Sequence, residues 1–219
     1  VRHTGHHLHA HAGEAHLKLS IALGLYVPSA LVGLAQGVVP PAIPAMSGVF
    51  GVAPAVAAQV VTLQLLGRFA TLVPVGMLAD RVGGRVAMVA GAVLLTLAGV
   101  ISALAPAFWV VLTGQLVSGV SLALWQVGRE LSAIDLVVPR RRGLLLSTFF
   151  GVQSVTQALG PLFGGLTVDA MGVRAVFGLQ AGVALGVLLT AVLAPGGPVP
   201  RRPSSRTPLL PRLADLDPR

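Results

Sequence analysis

Two segments of this chain carry the same residues at the same spacing. Gly76-x-x-x-Asp80-x-x-Gly83-x-Arg85 recurs as Gly165-x-x-x-Asp169-x-x-Gly172-x-Arg174. The chemistry open to such a set is electrostatic rather than covalent: glycine permits a tight turn or a close helix approach, and Asp and Arg cap helix ends. Arg68 is of another kind. It stands inside a long apolar run, and on a helix it lies roughly 18 Å before Asp80 at about 1.5 Å per residue. An arginine snorkels only part of that way, so a charge so placed faces a cavity or a partner. Gln64 lies one turn earlier on the same face. Gln36, Gln115, Gln126, Gln153 and Gln157 add neutral hydrogen-bonding groups to apolar stretches. The Gln64–Arg68 face is expected to line a path for a solute, with Gln36, Gln115, Gln153 and Gln157 beside it.

Other chemistries find no residues. The chain has no cysteine, hence no disulfide framework and no thiolate metal site. The six histidines, His3, His6, His7, His9, His11 and His16, all fall in the first sixteen residues. Such a tail can hold zinc, nickel or copper, or can have no metal role. No metal site is assigned to it. With every histidine in the tail there is no serine–histidine pair, and H-E-x-x-H is missing too, so an enzyme is not expected. Without a G-x-x-x-x-G-K-[ST] loop, neither ATP drive nor any cofactor is expected. The net charge of +8 invites nucleic acid as a partner, but the arginines sit in short loops between apolar runs, which argues against it.

The elements that position these residues follow from composition. Apolar residues make up 54% of the chain and charged residues 10%, against roughly a quarter charged in a soluble domain, so lipid must account for the difference. A span needs about twenty residues. The uncharged stretches Lys18–Arg68 and Arg85–Arg129 are each long enough for a helical hairpin, with turns at Pro44–Gly51 and Ser102–Pro106. Arg142–Asp169 and Arg174–Arg201 hold one span each. The reading is an all-α membrane protein with six transmembrane helices over residues 19–195, at about 20–42, 55–78, 86–104, 107–128, 144–168 and 173–194. Pro40, Pro41 and Pro44 end or bend the first. Arg81, Arg85, Arg129, Arg140, Arg141, Arg142 and the arginines after residue 200 share one side, which places both termini in the cytoplasm of a multi-pass cell-membrane protein. Residues 1–18 read as a His-rich cytoplasmic tail, and residues 196–219, rich in proline and arginine, as a disordered tail or linker. Gln153, Gln157, Gly160 and Gly164 form one stripe of the fifth span, its glycines suited to close backbone packing.

Three spans separate the two copies of the repeated motif, and an odd number puts them on opposite membrane faces. That is the mark of two inverted three-helix repeats. At these residues the chain resembles the major facilitator superfamily. Gly76-Met-Leu-Ala-Asp80-Arg81-Val-Gly83-Gly-Arg85 is similar to that family's G-x-L-A-D-R-x-G-R-[RK] loop, with Gly84 where an arginine is usual. Asp135-Leu-Val-Val-Pro139-Arg-Arg-Arg142-Gly143 resembles the loop after its fourth helix. Gly160-Pro161-x-x-Gly164-Gly165 resembles the end of a motif of proton-coupled exporters, and Gln115 stands where the family often has an arginine associated with proton coupling. The resemblance implies one six-helix lobe, the amino-terminal one, of a twelve-helix secondary transporter working by alternating access. The solute is then a small organic molecule, with drug or metabolite efflux as one form. It implies a gating cluster of Asp80, Arg81 and Arg85 with Glu130 or Asp135 and Arg142, and partners in the bilayer, the solute and a second six-helix lobe. Arg68 would meet an anionic group or a carboxylate of that lobe; the plainer alternative is a structural arginine bonded to glutamines and backbone. The alternative function is a truncated or non-transporting membrane module that needs a second lobe.

Overall fold

A protein backbone in lipid must satisfy its own hydrogen bonds, which long helices do within each segment. The computed structural model describes residues 25–136, 140 and 142–193. The two tails, with all six histidines, and the side chain of Asp135 lie outside the described residues. Six long helical segments follow in order: α1 (Val27–Phe50), α2 (Pro54–Val82), α3 (Gly84–Ala103), α4 (Phe108–Leu136), α5 (Arg142–Met171) and α6 (Val173–Leu193). Among the described residues there is no strand. All but α5 are both long and apolar enough to cross a membrane. α5 has the length, 30 residues. Its serines, threonines and glutamines between Ser147 and Gln157 dilute its hydropathy.

The packing carries the internal symmetry. α1 packs on α5 and α6, α4 packs on α2 and α3, and α3 packs on α6. Exchanging α1–α3 with α4–α6 maps this set of neighbours onto itself, as two inverted three-helix units require. The repeated motif behaves alike in both copies. Gly83 and Gly172 take φ of 91° and 82°, a region that only glycine enters without strain. The Gly83 N–H donates to Ala79 O at 2.8 Å and the Gly172 N–H to Val168 O at 2.9 Å, ending α2 and α5 in the same way. Arg85, at the start of α3, donates to Val192 O at the end of α6 (3.4 Å). Arg174, at the start of α6, donates to Ala105 O just beyond α3 (3.4 Å). Each arginine thus serves the carbonyl end of the symmetry-related helix, where positive charge is favoured.

The first hairpin turn is shorter than the sequence reading has it. The stretch read as a turn at Pro44–Gly51 is helical through Phe50, and Gly51 closes it with φ of 64°. The prolines do not end the span. Pro40 opens a short 3-10 step, Pro40–Ala42, and Pro44 falls in the first turn of the segment Ile43–Phe50. There the missing N–H has no intrahelical partner to lose.

The core divides by depth. Near the Gly51 end, Met46, Val60, Phe108, Val111, Val176 and Phe177 pack together. Midway, Val32, Leu95, Leu122, Trp125 and Val187 join α1, α3, α4 and α6. Midway along the seam between α1 and α5, Gly37 and Gly160 bring the two backbones into contact. α2 is sparsely covered beside α4: between Gln59 and Val82 only Val60, Gly67, Val75 and Ala79 are buried.

Candidate functional site

Four helices supply the polar side chains at the centre of the bundle. Gln36 comes from α1, Gln64 and Arg68 from α2, Gln115 from α4, and Gln153 and Gln157 from α5. All six line one cavity of about 380 Å³, together with Val39, Pro40, Val61, Leu65, Phe150 and Ser154. The displacement that carries Asp80 onto Asp169 also carries Gln64 onto Gln153 and Arg68 onto Gln157. The two walls given by α2 and α5 are therefore copies of one another. That relation is readable in the sequence, as an extension of the repeat back along both helices.

Each wall is held from behind by α4. On the α2 side, Gln64 Nε2 donates to Gln115 Oε1 (3.4 Å) and Ser118 Oγ (3.1 Å). Gln115 is fully buried, and its Nε2 donates to Ser102 Oγ (3.4 Å) and Gln180 Oε1 (3.3 Å). Gln115 is thus the hub joining α2, α3, α4 and α6, in a medium where no water answers an unpaired amide. Gln115→Leu is expected to lower stability by about 1–2 kcal/mol, because Gln64, Ser102 and Gln180 each lose a partner. Equilibrium unfolding in detergent checks it, and an unchanged midpoint would remove the hub.

On the other side the hub is Arg129. The sequence reading puts it in the loop after the fourth span and treats Arg68 as the one charge well inside a helix. Both points are corrected here. α4 continues to Leu136, and Arg129 lies inside it with no exposed surface. Its Nη1 donates to Ser29 Oγ (3.1 Å) on α1 and to Gln153 Oε1 (2.9 Å) on α5. The guanidinium carbon sits 4.6 Å from the Trp125 ring centroid and 5.5 and 5.3 Å from those of Phe149 and Phe150. Nη2 lies 4.0 Å from Glu130 Oε1, while Nε and Nη2 have no hydrogen-bond partner. The local signal for this burial was the i, i+4 pairing of Trp125 with Arg129 and of Gln126 with Glu130.

Glu130 links the two arginines. Gln126 Nε2 donates to Glu130 Oε1 at 3.1 Å, and Gln126 Oε1 accepts from Arg68 Nη2. Arg68 Nη1 donates to Gln36 Oε1 at 3.4 Å. Glu130 thus bonds within this inner network. The sequence reading offers it or Asp135 as the acid of a gating cluster, and among the described residues it makes no ion pair with Arg81 or Arg85 within 4 Å. Asp80 and Arg81 are exposed at the end of α2, and among the described residues neither makes an ion pair within 4 Å. Arg85 turns to α6 as described, and Arg142 opens α5.

The glycine motif divides. Gly160 and Gly164 meet the α1 backbone at Gly37 and Val38, as close packing requires. Gly165 does not join them. A Cβ there, or at Gly76, meets no atom within 4 Å, because both point away from the neighbouring helices. Pro161 lies exposed within α5. Among the described residues, no three metal-ligating side chains come together.

The chain matches the family described as the Major Facilitator Superfamily over residues 25–215. It is 31% identical over 110 residues to the MFS-type transporter ppzB of Metarhizium majus, covering 50% of this chain and 24% of that protein. Over 141 residues it is 31% identical to an uncharacterized MFS-type transporter of Mycobacterium tuberculosis, covering 64% of this chain and 24% of the relative. A methylenomycin A resistance protein of Streptomyces coelicolor is 32% identical over 118 residues, covering 52% of this chain and 25% of its own length. The chain spans about a quarter of the length of the curated relatives it matches.

Proposed function

This chain belongs to the major facilitator superfamily, and on that premise we propose that it is the amino-terminal six-helix lobe of a secondary transporter. It carries a small organic solute across the cytoplasmic membrane by alternating access, with both termini in the cytoplasm. The observation that carries this reading is the cavity: six glutamine and arginine side chains from four helices, four of them paired across the repeat, enclosing a space of solute size. A buried polar set of that kind is costly in a bilayer and has its use in holding what passes. Asp80, Arg81 and Arg85, with Asp135 and Arg142, form the gate at the cytoplasmic end. A second six-helix lobe covers the open face of α2. Export is the favoured direction, supported by the Gly160-Pro161 motif and by the relative named for methylenomycin A resistance.

The competing reading is a membrane module that does not transport without a second lobe, and the sparsely buried α2 favours that dependence. Reconstitution into proteoliposomes separates the two. Solute flux from this chain supports autonomous transport, and flux only when a second lobe is supplied supports the dependent form. No flux in either preparation rejects transport. Topology is tested separately, since the chain lacks cysteine and single cysteines report cleanly. Arg81→Cys is expected to react with an impermeant maleimide only from the cytoplasmic side, and Gly51→Cys only from the other. The reverse pattern would invert the orientation.

A further inference from the structure

The geometry points to an anionic solute: a small molecule whose carboxylate rests against Arg68 inside the cavity. This deepens the transport reading and rests on the cavity being the solute's path.

Charge balance comes first. Away from the helix ends, the charged side chains described within the bundle are Arg68, Arg129 and Glu130. Glu130 stands 4.0 Å from Arg129. Arg68 makes its own side-chain hydrogen bonds to amide oxygens only, those of Gln36 and Gln126, and meets Glu130 only through Gln126. A guanidinium at this depth without a carboxylate is an incomplete arrangement, since charges inside a membrane protein are paired or face water. Among the described residues Arg68 is also the only charged one lining the cavity, and no aspartate or glutamate of theirs lines it. A cationic solute would find no counter-charge and one guanidinium opposed to it. A carboxylate would find a planar fork of matching geometry.

Amide orientation agrees. Arginine only donates hydrogen bonds, so Gln153 must turn its oxygen toward Arg129, at 2.9 Å. The donor end of Gln153 is what remains for the cavity. Gln157, one turn on, makes no side-chain hydrogen bond among the described residues and can turn its amide group to the same occupant. Behind Gln153 and Phe150, Arg129 Nε and Nη2 and the neighbouring Trp125 Nε1 have no hydrogen-bond partner among the described residues. These fully buried donors add positive potential to the α5 wall of a low-dielectric cavity.

Three probes of one shape test the assignment: benzoate, benzamide and benzamidine, anionic, neutral and cationic at pH 7. Trp109 is largely exposed, so Trp109→Phe leaves Trp125, packed on Arg129, as the single tryptophan of the chain in lipid nanodiscs, excited selectively at about 295 nm. Benzoate is expected to bind at least about tenfold more tightly than benzamide, with benzamidine weakest. Arg68→Gln should erase the preference, and Arg68→Lys should keep part of it, both with wild-type unfolding midpoints. Equal or absent responses to the three probes, tighter benzamidine, or a preference that survives Arg68→Gln would overturn the inference. A carboxylate from a second lobe is the other source of the same chemistry. Competitive inhibition of flux by benzoate assigns the group to the solute, and benzoate that leaves flux untouched when that lobe is present assigns it to the lobe and overturns the solute. Benzoate preference without flux in any preparation would remove the transport reading and leave the anion site standing. Flux of cations without benzoate preference would do the reverse.

Discussion

Gly37→Val is expected to part α1 from α5 and to destabilise the bundle by more than about 3 kcal/mol, the upper range for overpacking. A Cβ at Gly37 would overlap the carbonyl oxygen of Gln157 and come within 2.8 Å of Gly160 Cα. Both are backbone atoms of a helix, so no side chain can rotate out of the way. Membrane helices associate through such close approach rather than through a hydrophobic driving force, so losing it removes most of what joins this pair. The damage reaches the cavity as well, since Gln36, Gln153 and Gln157 flank this seam. Gly165→Val is the matched control. Its Cβ meets nothing within 4 Å, and its unfolding midpoint should stay within about 0.5 kcal/mol of wild type. Denaturant titration in mixed micelles measures both. Equal effects of the two substitutions would mean that the close approach contributes nothing.

Arg129→Ala is expected to cost about 3 kcal/mol, a typical result of removing one member of a buried charged set. It deprives Ser29 and Gln153 of their donor, leaves Glu130 without the cation 4.0 Å away, and opens a void between Trp125 and Phe149. Arg129→Met separates these causes. It refills the volume and removes a guanidinium that has two unpaired nitrogens and no contact with solvent. Methionine should therefore recover at least half of the loss, because a partly satisfied buried charge carries a desolvation penalty that an apolar side chain does not. Recovery of stability without recovery of solute binding is the expected pattern, since Gln153 would no longer be held with its donor toward the cavity. If methionine is as damaging as alanine, the polar contacts outweigh the packing, and Arg129 holds the fold rather than the wall.

Much of the fold was legible before any coordinates. The uncharged stretches between arginines are long enough for helices to cross a bilayer. The Gly76–Arg85 and Gly165–Arg174 copies announced the inverted repeat, and their second glycines, Gly83 and Gly172, share one backbone conformation. The six side chains proposed for a solute path, Gln36, Gln64, Arg68, Gln115, Gln153 and Gln157, line one cavity; whether a solute passes there is for the binding and flux measurements. Two boundaries were misread. Charge alone ended the fourth span before Arg129. The first span, placed to end near residue 42 at prolines read to end or bend it, runs on to Phe50 past a 3-10 step.

What the sequence by itself determined is the class: in lipid each segment must close its own backbone hydrogen bonds, so apolar length and charge spacing suffice to name and count the helices. Only the tertiary structure decided where the polar groups point. Arg129 reads like any loop arginine until Ser29 from α1 and Gln153 and Phe149 from α5 arrive to receive it. Gly160 and Gly165 are alike in sequence, yet only Gly160 has a helix against it. Whether a buried charge or a missing side chain is tolerated depends on partners from other helices, and that is a property of packing that no local spacing carries.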